Sequence, residues 1–426
     1  MSDTEKILQF CTNLVKEMVV SGANLERVEI AATLICRAYG MRDVSLFLLS
    51  THMSISAVGS DGGYVIRQVT IPPASIHLEK LKQLNRLSYT VVSEKPSPDD
   101  LPGLLRKACR GKGYPAWGIT AARVLAMVSL CLIFGGKAPE AVIIVFVTIM
   151  AEFITKGMGR LDINRLISSG ITMCITTTVI MVLYTAGLCR NPKALIITVT
   201  MIFLPGIPLA NAVRNLLCDH EMNGILQLMR IVIETTALGA GIVIGIYFFR
   251  GEGGLGGLDM EAVSEPLLLL LMSFLASVGF AVVFEIPPHD LWLAGAGGVL
   301  TRIFLICLPG IVPYRIIYTG VAALMAALYA EFLAGRRKDP STYFVYPAII
   351  PLIPGDLFYY AIGEMIYSNW DKAAGYGYQC ILALAGMSIG FVVSSSVSHY
   401  MRKMRHGIRR GRNAVPGHSE RSGGGQ

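Results

Sequence analysis

Two Pro-Gly dipeptides, Pro205-Gly206 and Pro354-Gly355, lie within apolar runs of the sequence. Proline removes a backbone donor and glycine loosens the helical turn, so a helix is expected to break at each dipeptide. In hydrocarbon, the freed backbone groups must be satisfied by protein or by water in a cavity. Free amides at a half-helix terminus attract a substrate carboxylate, and free carbonyls attract an ammonium group. We therefore predict a binding site for a small solute at the two breaks. The alternative is a pair of kinks that only shape helix packing.

An acid and an amide follow these breaks. Asp356 comes directly after the second dipeptide, and Asn211 lies five residues beyond Gly206 on an apolar helix. A carboxylate at membrane depth is costly and marks function or a paired charge, so Asp356 is predicted to bind the ammonium group or to carry a proton. If its segment begins late, Asp356 is an interfacial acid instead. Asn211 is predicted to hydrogen-bond the substrate, with a helix-to-helix contact as the alternative.

Four further charged residues within apolar segments are candidates for coupling or charge pairing. Arg230 and Glu234 are four residues apart and share a helix face, so we expect a mutual ion pair, with Glu234 as a second candidate proton carrier. Glu364 is a third candidate, although its place near a segment end also suits an interfacial side chain. Arg302 could pair with a substrate carboxylate or with Asp356. If Arg302 faces the cavity, the hypothesis of a dicarboxylate substrate becomes stronger.

The composition is that of a membrane protein. Of the 426 residues, 53% are hydrophobic and only 15% are charged, whereas soluble domains carry about 25% charge. The net charge of +8 does not indicate a nucleic-acid partner, because the basic residues lie at the ends of apolar segments, where membrane topology places them. The nine cysteines include no CxxC pair and no histidine-bearing cluster. We therefore expect no metal site, no cofactor and no disulfide framework.

Polarity divides the chain into four parts. Residues 1–113 mix helical and strand-like patterns, which predicts a cytosolic α/β domain, and residues 401–426 are a basic, Gly-rich tail predicted to be disordered. A spanning helix needs about 20 mainly apolar residues. On that basis residues 114–250 and 265–400 are each predicted to hold five transmembrane helices. The ten candidates are 118–135, 139–156, 167–189, 194–216, 225–249, 265–284, 290–309, 315–334, 343–368 and 376–400.

Two features indicate an internal repeat. The Pro-Gly dipeptides are 149 residues apart and fall in the fourth and ninth segments. Helices five and ten carry the small-residue pairs Gly241/Gly245 and Gly386/Gly390, which suit close helix packing. Because five is an odd number, the second copy of a 5+5 repeat must be inverted. The distribution of Lys and Arg favours both termini in the cytoplasm of an inner or plasma membrane protein.

Several stretches resemble the threonine/serine exporter family. Residues 22–29, GANLERVE, look like the GAxxxRVE signature of that family, and residues 204–214, LPGIPLANAVR, are similar to its most recognisable membrane motif. Residues 78–87 resemble its segment after the third strand. The resemblance covers nearly the whole chain. In the second half, Asp356-Leu357 replaces Ile207-Pro208 of the first half-motif.

The resemblance implies a fused form of two half-proteins that exports small hydroxylated amino acids, threonine and serine, by proton-coupled antiport with alternating access. Separate halves in related pairs are linked to succinate export, so a dicarboxylate exporter is the alternative. A membrane-anchored enzyme or sensor comes third, because residues 1–113 contain no GxSxG motif. The sequence also has no P-loop, which argues against an ATP-driven pump. The expected partners are a small-molecule substrate (an amino acid or a dicarboxylate), protons and the lipid bilayer. A homo-oligomer is left open, and no enzymatic activity is expected.

Overall fold

The computed structural model describes residues 2–49, 51–59, 62–72, 75–110, 113–204, 206–217, 221–249, 265–337 and 339–413. Within this part of the chain, the secondary structure comprises sixteen α-helices, two short 3-10 turns and one three-stranded sheet. Helices therefore dominate the fold, as the sequence predicts for a helical membrane protein.

The first part of the chain is an α/β unit built on an antiparallel sheet in the order β1-β2-β3. Met53, Ile55 and Ala57 alternate along β2 and are buried, since successive side chains of a strand point to opposite faces. Helix α1 packs on β2 and β3, and helix α2 packs on β1. We call these elements the N-terminal unit: α1 (Asp3–Val20), α2 (Leu25–Ala38), β1 (Arg42–Leu48), β2 (His52–Val58), β3 (Tyr64–Thr70), α3 (Leu78–Glu94) and α4 (Leu101–Cys109).

Eight helices of the described residues are long and apolar enough to cross a membrane. A multi-pass membrane protein is thus confirmed. Helix α12 is preceded by the 3-10 turn Pro288–Asp290, and the two together form a candidate span of 20 residues. The eight helices are α5 (Ala116–Ile133), α6 (Ala138–Arg160), α7 (Arg165–Thr185), α10 (Glu221–Tyr247), α11 (Pro266–Val283), α12 (Leu291–Cys307), α13 (Arg315–Arg337) and α16 (Trp370–Asn413).

Two further apolar segments are broken. The first consists of α8 (Pro192–Phe203) and α9 (Gly206–Leu217). The second consists of α14 (Thr342–Ala348), a 3-10 turn and α15 (Gly355–Ile366), and its two halves are bent by 44°. Counting this bent segment as one span gives nine among the described residues. The ten-helix arrangement also needs α8 and α9 to form one crossing, and it stays a prediction.

Helix α16 continues to Asn413, beyond the predicted boundary at residue 400. The start of the basic tail is therefore helical. No proline occurs in this stretch before Pro416, so the sequence contains no residue that must break the helix there. Residues 414–426, for which disorder is predicted, lie outside the described residues.

The predicted small-residue pairs lie at two similar helix contacts. Helix α10 packs on α7 through Gly241 and Gly245, and α16 packs on α13 through Gly386 and Gly390. A Cβ on Gly241 would collide with the backbone of α7, and a Cβ on Gly390 would collide with the backbone of α13. Glycine at these positions lets the helix backbones approach closely. The same type of contact thus joins the third and fifth segments of each predicted half.

The N-terminal unit contacts one end of the helix bundle. The Leu78 backbone N–H of α3 donates to the Phe284 carbonyl at 3.0 Å. Beside it, the hydroxyl of Tyr114, in the chain that joins the unit to α5, donates to the Ile286 carbonyl at 2.7 Å. On another side, Asn223 Nδ2 donates to a carbonyl of β1 at 2.6 Å. We call this end of the bundle the proximal end. The opposite end, which includes the α5–α6, α7–α8 and α12–α13 connections, is the distal end.

Candidate functional site

A cavity of about 200 Å³ lies beside the second break. The segment Ile350–Pro354 lines it, as do Pro309 of the α12–α13 connection and Arg315 at the start of α13, both at the distal end. It therefore extends from the break toward the distal end, and we call it the distal cavity. Its polar or charged lining side chains are Arg302, Arg315, Tyr318, Thr319 and Asp356.

The end of α8 reaches the second break. Met201 lines the distal cavity, and a Cβ on Gly355 would collide with its sulfur atom. Gly355 thus lies against the Met201 side chain of α8, which a larger residue at this position would displace. Leu204 and Ile353, the residues just before the two Pro-Gly dipeptides, pack against one hydrophobic cluster. The two broken segments therefore meet. Pro205 lies outside the described residues, and Gly206 is described only as the first residue of α9.

Helix α12 presents Arg302 to the distal cavity. Arg302 Nε donates to Ser273 Oγ of α11 at 2.9 Å, which orients the guanidinium group. The neighbouring Thr301 Oγ1 donates to the Ala348 carbonyl, the last of α14, at 2.8 Å. That bond satisfies a carbonyl beside the break and fixes α12 next to it. The other guanidinium donors remain available in a cavity that is large enough for a small anionic group.

Asp356 lies in the first turn of α15 and is half-buried. A carboxylate at this position is stabilised by the backbone N–H groups at the helix N-terminus. Within the described residues, no direct ion pair joins Asp356 to Arg302. One cavity thus holds an anionic and a cationic side chain that do not neutralise each other by contact. Such an arrangement can hold the two charged ends of a zwitterion.

Asn211 lies on the proximal side. Its Nδ2 donates to the Tyr346 hydroxyl at 3.1 Å, and that hydroxyl lies 3.1 Å from the Gly22 carbonyl, to which it donates. These residues adjoin a second, small cavity of about 30 Å³, the proximal cavity, which is also lined by Thr342 and Ser394. The structure therefore places Asn211 and Asp356 in different cavities. The segment from Ile349 to Pro354 separates the two.

The remaining candidates lie apart from the distal cavity. Arg230 Nε donates to Glu234 Oε1 at 3.3 Å, so the i, i+4 ion pair is present. Glu364 Oε2 accepts a hydrogen bond from Asn369 Nδ2 at 2.8 Å, near the distal end of α15. Neither acid lines the distal cavity. Of the predicted residues, the structure brings Arg302, Pro354 and Asp356 together there.

Sequence reasoning missed three polar residues of the cavity. Arg315, Tyr318 and Thr319 occupy the first turns of α13, where the Arg315 guanidinium lies 5.7 Å from the centre of the Tyr318 ring. In a sequence, a cation and two hydroxyls at the start of an apolar helix are only a weak indication of a binding site. Arg315 was interpretable from the sequence only as a topology marker of an outer loop.

Two buried acids outside the cavity occupy similar places in the two halves. Glu140, near the start of α6, accepts hydrogen bonds from the backbone N–H groups of Arg190 at 2.8 Å and Asn191 at 3.1 Å, just before α8. Asp290, just before α12, accepts one from the Tyr343 hydroxyl of α14 at 2.9 Å and contacts Arg337. Each acid therefore anchors the chain that leads into a broken segment. Glu140 does so at the distal end and Asp290 at the proximal end.

These features place the chain in one structural class of membrane protein. Apolar helices cross the membrane, broken segments meet inside the bundle, and a small polar cavity adjoins the break, as in transporters whose sites are built on discontinuous helices.

Comparison with known proteins agrees with this class. A family model described as putative threonine/serine exporter matches residues 9–249, and one described as threonine/serine exporter, ThrE, matches residues 269–397. A protein of Mycobacterium tuberculosis (strain ATCC 25618 / H37Rv) named probable threonine/serine exporter is 21% identical over 367 residues, which cover 83% of this chain and 68% of that protein. No solved structure was found that matches the chain. The chain belongs to the threonine/serine exporter family, which confirms the resemblance, and it is an exporter and not an enzyme.

Proposed function

We propose that the chain exports threonine and serine through the distal cavity by proton-coupled antiport with alternating access. The observation that carries the proposal is the presence of Arg302 and Asp356 in one small cavity beside the second break. The cavity volume of about 200 Å³ is below the range of about 300–1,000 Å³ that is usual for drug-sized ligands. It suits a solute of few atoms.

A zwitterionic hydroxy amino acid matches the cavity group by group. The α-carboxylate pairs with the Arg302 guanidinium, which can bind it with two parallel hydrogen bonds. The α-ammonium group lies at Asp356 and at carbonyls freed by the break. Thr319 and Tyr318 supply hydroxyls for the substrate side chain. This assignment of substrate groups explains why the cavity contains both an acidic side chain, Asp356, and a basic one, Arg302.

A dicarboxylate is the second candidate substrate. Arg302 and Arg315 both line the cavity, so two cations could bind two carboxylates. Asp356 opposes this, because its negative charge would lie beside a second carboxylate unless the acid were protonated. The zwitterion therefore remains the leading substrate.

An inverted 5+5 repeat of ten helices is the architecture we propose. It is supported by the two Gly-mediated helix contacts, by Glu140 and Asp290 at opposite ends of the bundle, and by the two broken segments that meet. With α8–α9 and α14–α15 each counted as one crossing, both termini lie on the proximal side. The Lys and Arg distribution assigns that side to the cytoplasm.

The contacts of Tyr346 suggest how the proximal side closes. Its hydroxyl bridges the Gly22 turn of the N-terminal unit and Asn211 of α9. We infer that opening toward the cytoplasm separates these groups, while the distal cavity closes around residues 350–354. One bundle would then rock against the other about the shared site. Oligomeric assembly is not needed for this cycle.

Asp356 is the leading proton-coupling residue of the proposal, because Glu234 and Glu364 do not line the distal cavity. A proton bound at Asp356 would compete with the ammonium group for the same carboxylate, which is the requirement for antiport. A membrane potential supplies about 2.3 kcal/mol per charge per 100 mV, enough for roughly fiftyfold accumulation per proton. The exchange of a zwitterion for a proton moves net charge.

Counterflow in proteoliposomes tests the proposal. Labelled threonine, serine and succinate are compared for the wild type, Asp356→Asn and the matched control Glu364→Gln, which removes an acid that does not line the cavity. Loss of a hydrogen bond to a charged group costs about 1.5–3 kcal/mol. We therefore expect Asp356→Asn to lower threonine counterflow roughly tenfold or more, and the control to match the wild type. Uptake of succinate alone would overturn the leading substrate.

A further inference from the structure

We propose that a groove at the proximal end binds the headgroup of an anionic phospholipid. The groove has a volume of about 800 Å³ and lies between the N-terminal unit and the ends of the membrane helices. Helices α3 and α4 form one wall, and the start of α5 and the α11–α12 connection form the other. It is separate from the distal and proximal cavities, and it is far larger than a single amino acid requires.

The charges of the groove favour an anion. Arg86, Lys107 and Arg110 line it, and within the described residues neither Lys107 nor Arg110 is in an ion pair. Two acids, Glu79 and Glu285, also line the groove. Glu285 lies 3.1 Å from His77 Nδ1, and Glu79 accepts a hydrogen bond from Gln83 Nε2 at 2.7 Å. Arg86 is paired with Asp339 at 3.3 Å, so the cations that can bind a ligand anion are Lys107 and Arg110.

The groove also has apolar surface, formed by Leu87, Leu104 and Ala108 of α3 and α4 and by prolines of the opposite wall. Basic residues beside apolar surface are typical of sites for lipid headgroups at the cytoplasmic face of a membrane. Trp117 follows two residues after Pro115 of the groove, in the first turn of α5, and its side chain is 76% exposed. An exposed tryptophan at the end of a spanning helix marks the level of the headgroups. A lipid in that layer can insert its headgroup between the two walls.

The occupant we commit to is therefore a phospholipid with a net negative headgroup, such as phosphatidylglycerol. Its phosphate pairs with Lys107 and Arg110, and its acyl chains lie along α5 beside Trp117. The same lipid would tie the N-terminal unit to the membrane. A soluble phosphate would use the basic residues but not the apolar surface, so the two anion sources can be told apart.

Quenching of the Trp117 fluorescence by brominated lipid provides the test. The full chain has three tryptophans, and Trp292→Phe with Trp370→Phe leaves Trp117 as the reporter. The protein in uncharged detergent is titrated with phosphatidylglycerol that carries brominated acyl chains, and with brominated phosphatidylcholine. Lys107→Gln with Arg110→Gln removes the two free cations. The matched control is Arg37→Gln with Arg42→Gln, two exposed basic residues of the N-terminal unit that do not line the groove.

We expect quenching by phosphatidylglycerol at lower concentration than by phosphatidylcholine. The groove variant should bind phosphatidylglycerol roughly thirtyfold more weakly, the factor expected for two cations near a membrane surface, and the control should match the wild type. Equal quenching by both lipids in the wild type would overturn the proposal. Equal affinities of groove and control variants would do the same. Displacement of the lipid by glycerol phosphate at equal concentration would show that the groove takes the free anion instead.

Discussion

Lys82 of the N-terminal unit lies with its Nζ 2.9 Å from Asp339 Oδ2, at the proximal end of the membrane helices. The two side chains are 7% and 1% exposed. The same Nζ is 3.5 Å from Asp290 Oδ2 and 4.8 Å from the centre of the Tyr343 ring. Lys82 is thus the buried cation between two buried acids, and each acid also pairs with an arginine, Asp339 with Arg86 and Asp290 with Arg337. This network attaches α3 to the chain that leads into the second broken segment.

Replacement of Lys82 by Met should destabilise the protein strongly. Removal of one partner from a buried pair costs about 3–5 kcal/mol. Because Arg86 and Arg337 still pair with the two acids, we expect a loss near the lower end of that range. The matched control is Lys80→Met, because Lys80 pairs with Glu17 at a site where both side chains are 24–30% exposed, and such pairs contribute about 0–1 kcal/mol. Thermal unfolding in detergent measures the stability of both variants. An equal loss of stability in the two variants would contradict a larger contribution of the buried network than of the exposed pair.

The bridge made by Tyr346 should hold the proximal side closed. Tyr346→Phe removes the hydroxyl that contacts Gly22 and Asn211, and we expect faster amide hydrogen exchange in residues 22–24 and in α14. Tyr329→Phe is the control, because its hydroxyl donates to the Leu293 carbonyl at 2.9 Å and lies outside the bridge. If both variants leave exchange at the Gly22 turn unchanged, Tyr346 does not secure this contact.

Gly355→Ala should impair transport by steric conflict. The added methyl group would collide with the Met201 sulfur, and overpacking of this kind costs about 1–3 kcal/mol. A second substitution, Met201→Ala, should restore part of the counterflow rate, since it removes the colliding atom. Gly363→Ala is the control, because a Cβ there meets no atom within 4 Å. Failure of Met201→Ala to rescue the rate would mean that Gly355 serves another purpose.

The thiol of Cys11 should resist alkylation in the folded protein. Contact with the Cys36 sulfur at 3.9 Å, together with burial, raises the pKa of the Cys11 thiol well above its ordinary value of 9.0. Because the folded-state pKa is the higher one, this contribution to stability is complete below pH 9 and is lost as the pH rises further. We expect no iodoacetamide labelling of Cys11 at pH 8 until denaturant is added, as followed by mass spectrometry. Labelling of the native protein at the unfolded rate would contradict the burial.

Local patterns made part of this architecture predictable. The Pro-Gly breaks and the glycine pairs depend on the backbone properties of a few adjacent residues, and the structure has breaks and close contacts where these residues lie. Asn211 makes the helix-to-helix contact that was the alternative to substrate binding, but its partner in that contact was not predictable. The Asn211 side chain contacts Tyr346 because of the way α9 packs, and the hydrophobic periodicity of the sequence does not predict that packing. The pairing of Lys82 with Asp339 and the presence of Arg315 in the cavity depend in the same way on tertiary packing.

The central claim is that the distal cavity binds the two charged ends of one zwitterion, with the carboxylate at Arg302. Competition against labelled threonine in proteoliposomes tests it most directly, with threonine compared with threoninol, which lacks the carboxylate. We expect wild-type protein and Glu364→Gln to prefer threonine roughly tenfold or more, and Arg302→Gln to lose most of that preference. An unchanged preference in Arg302→Gln would place the carboxylate elsewhere and contradict the account.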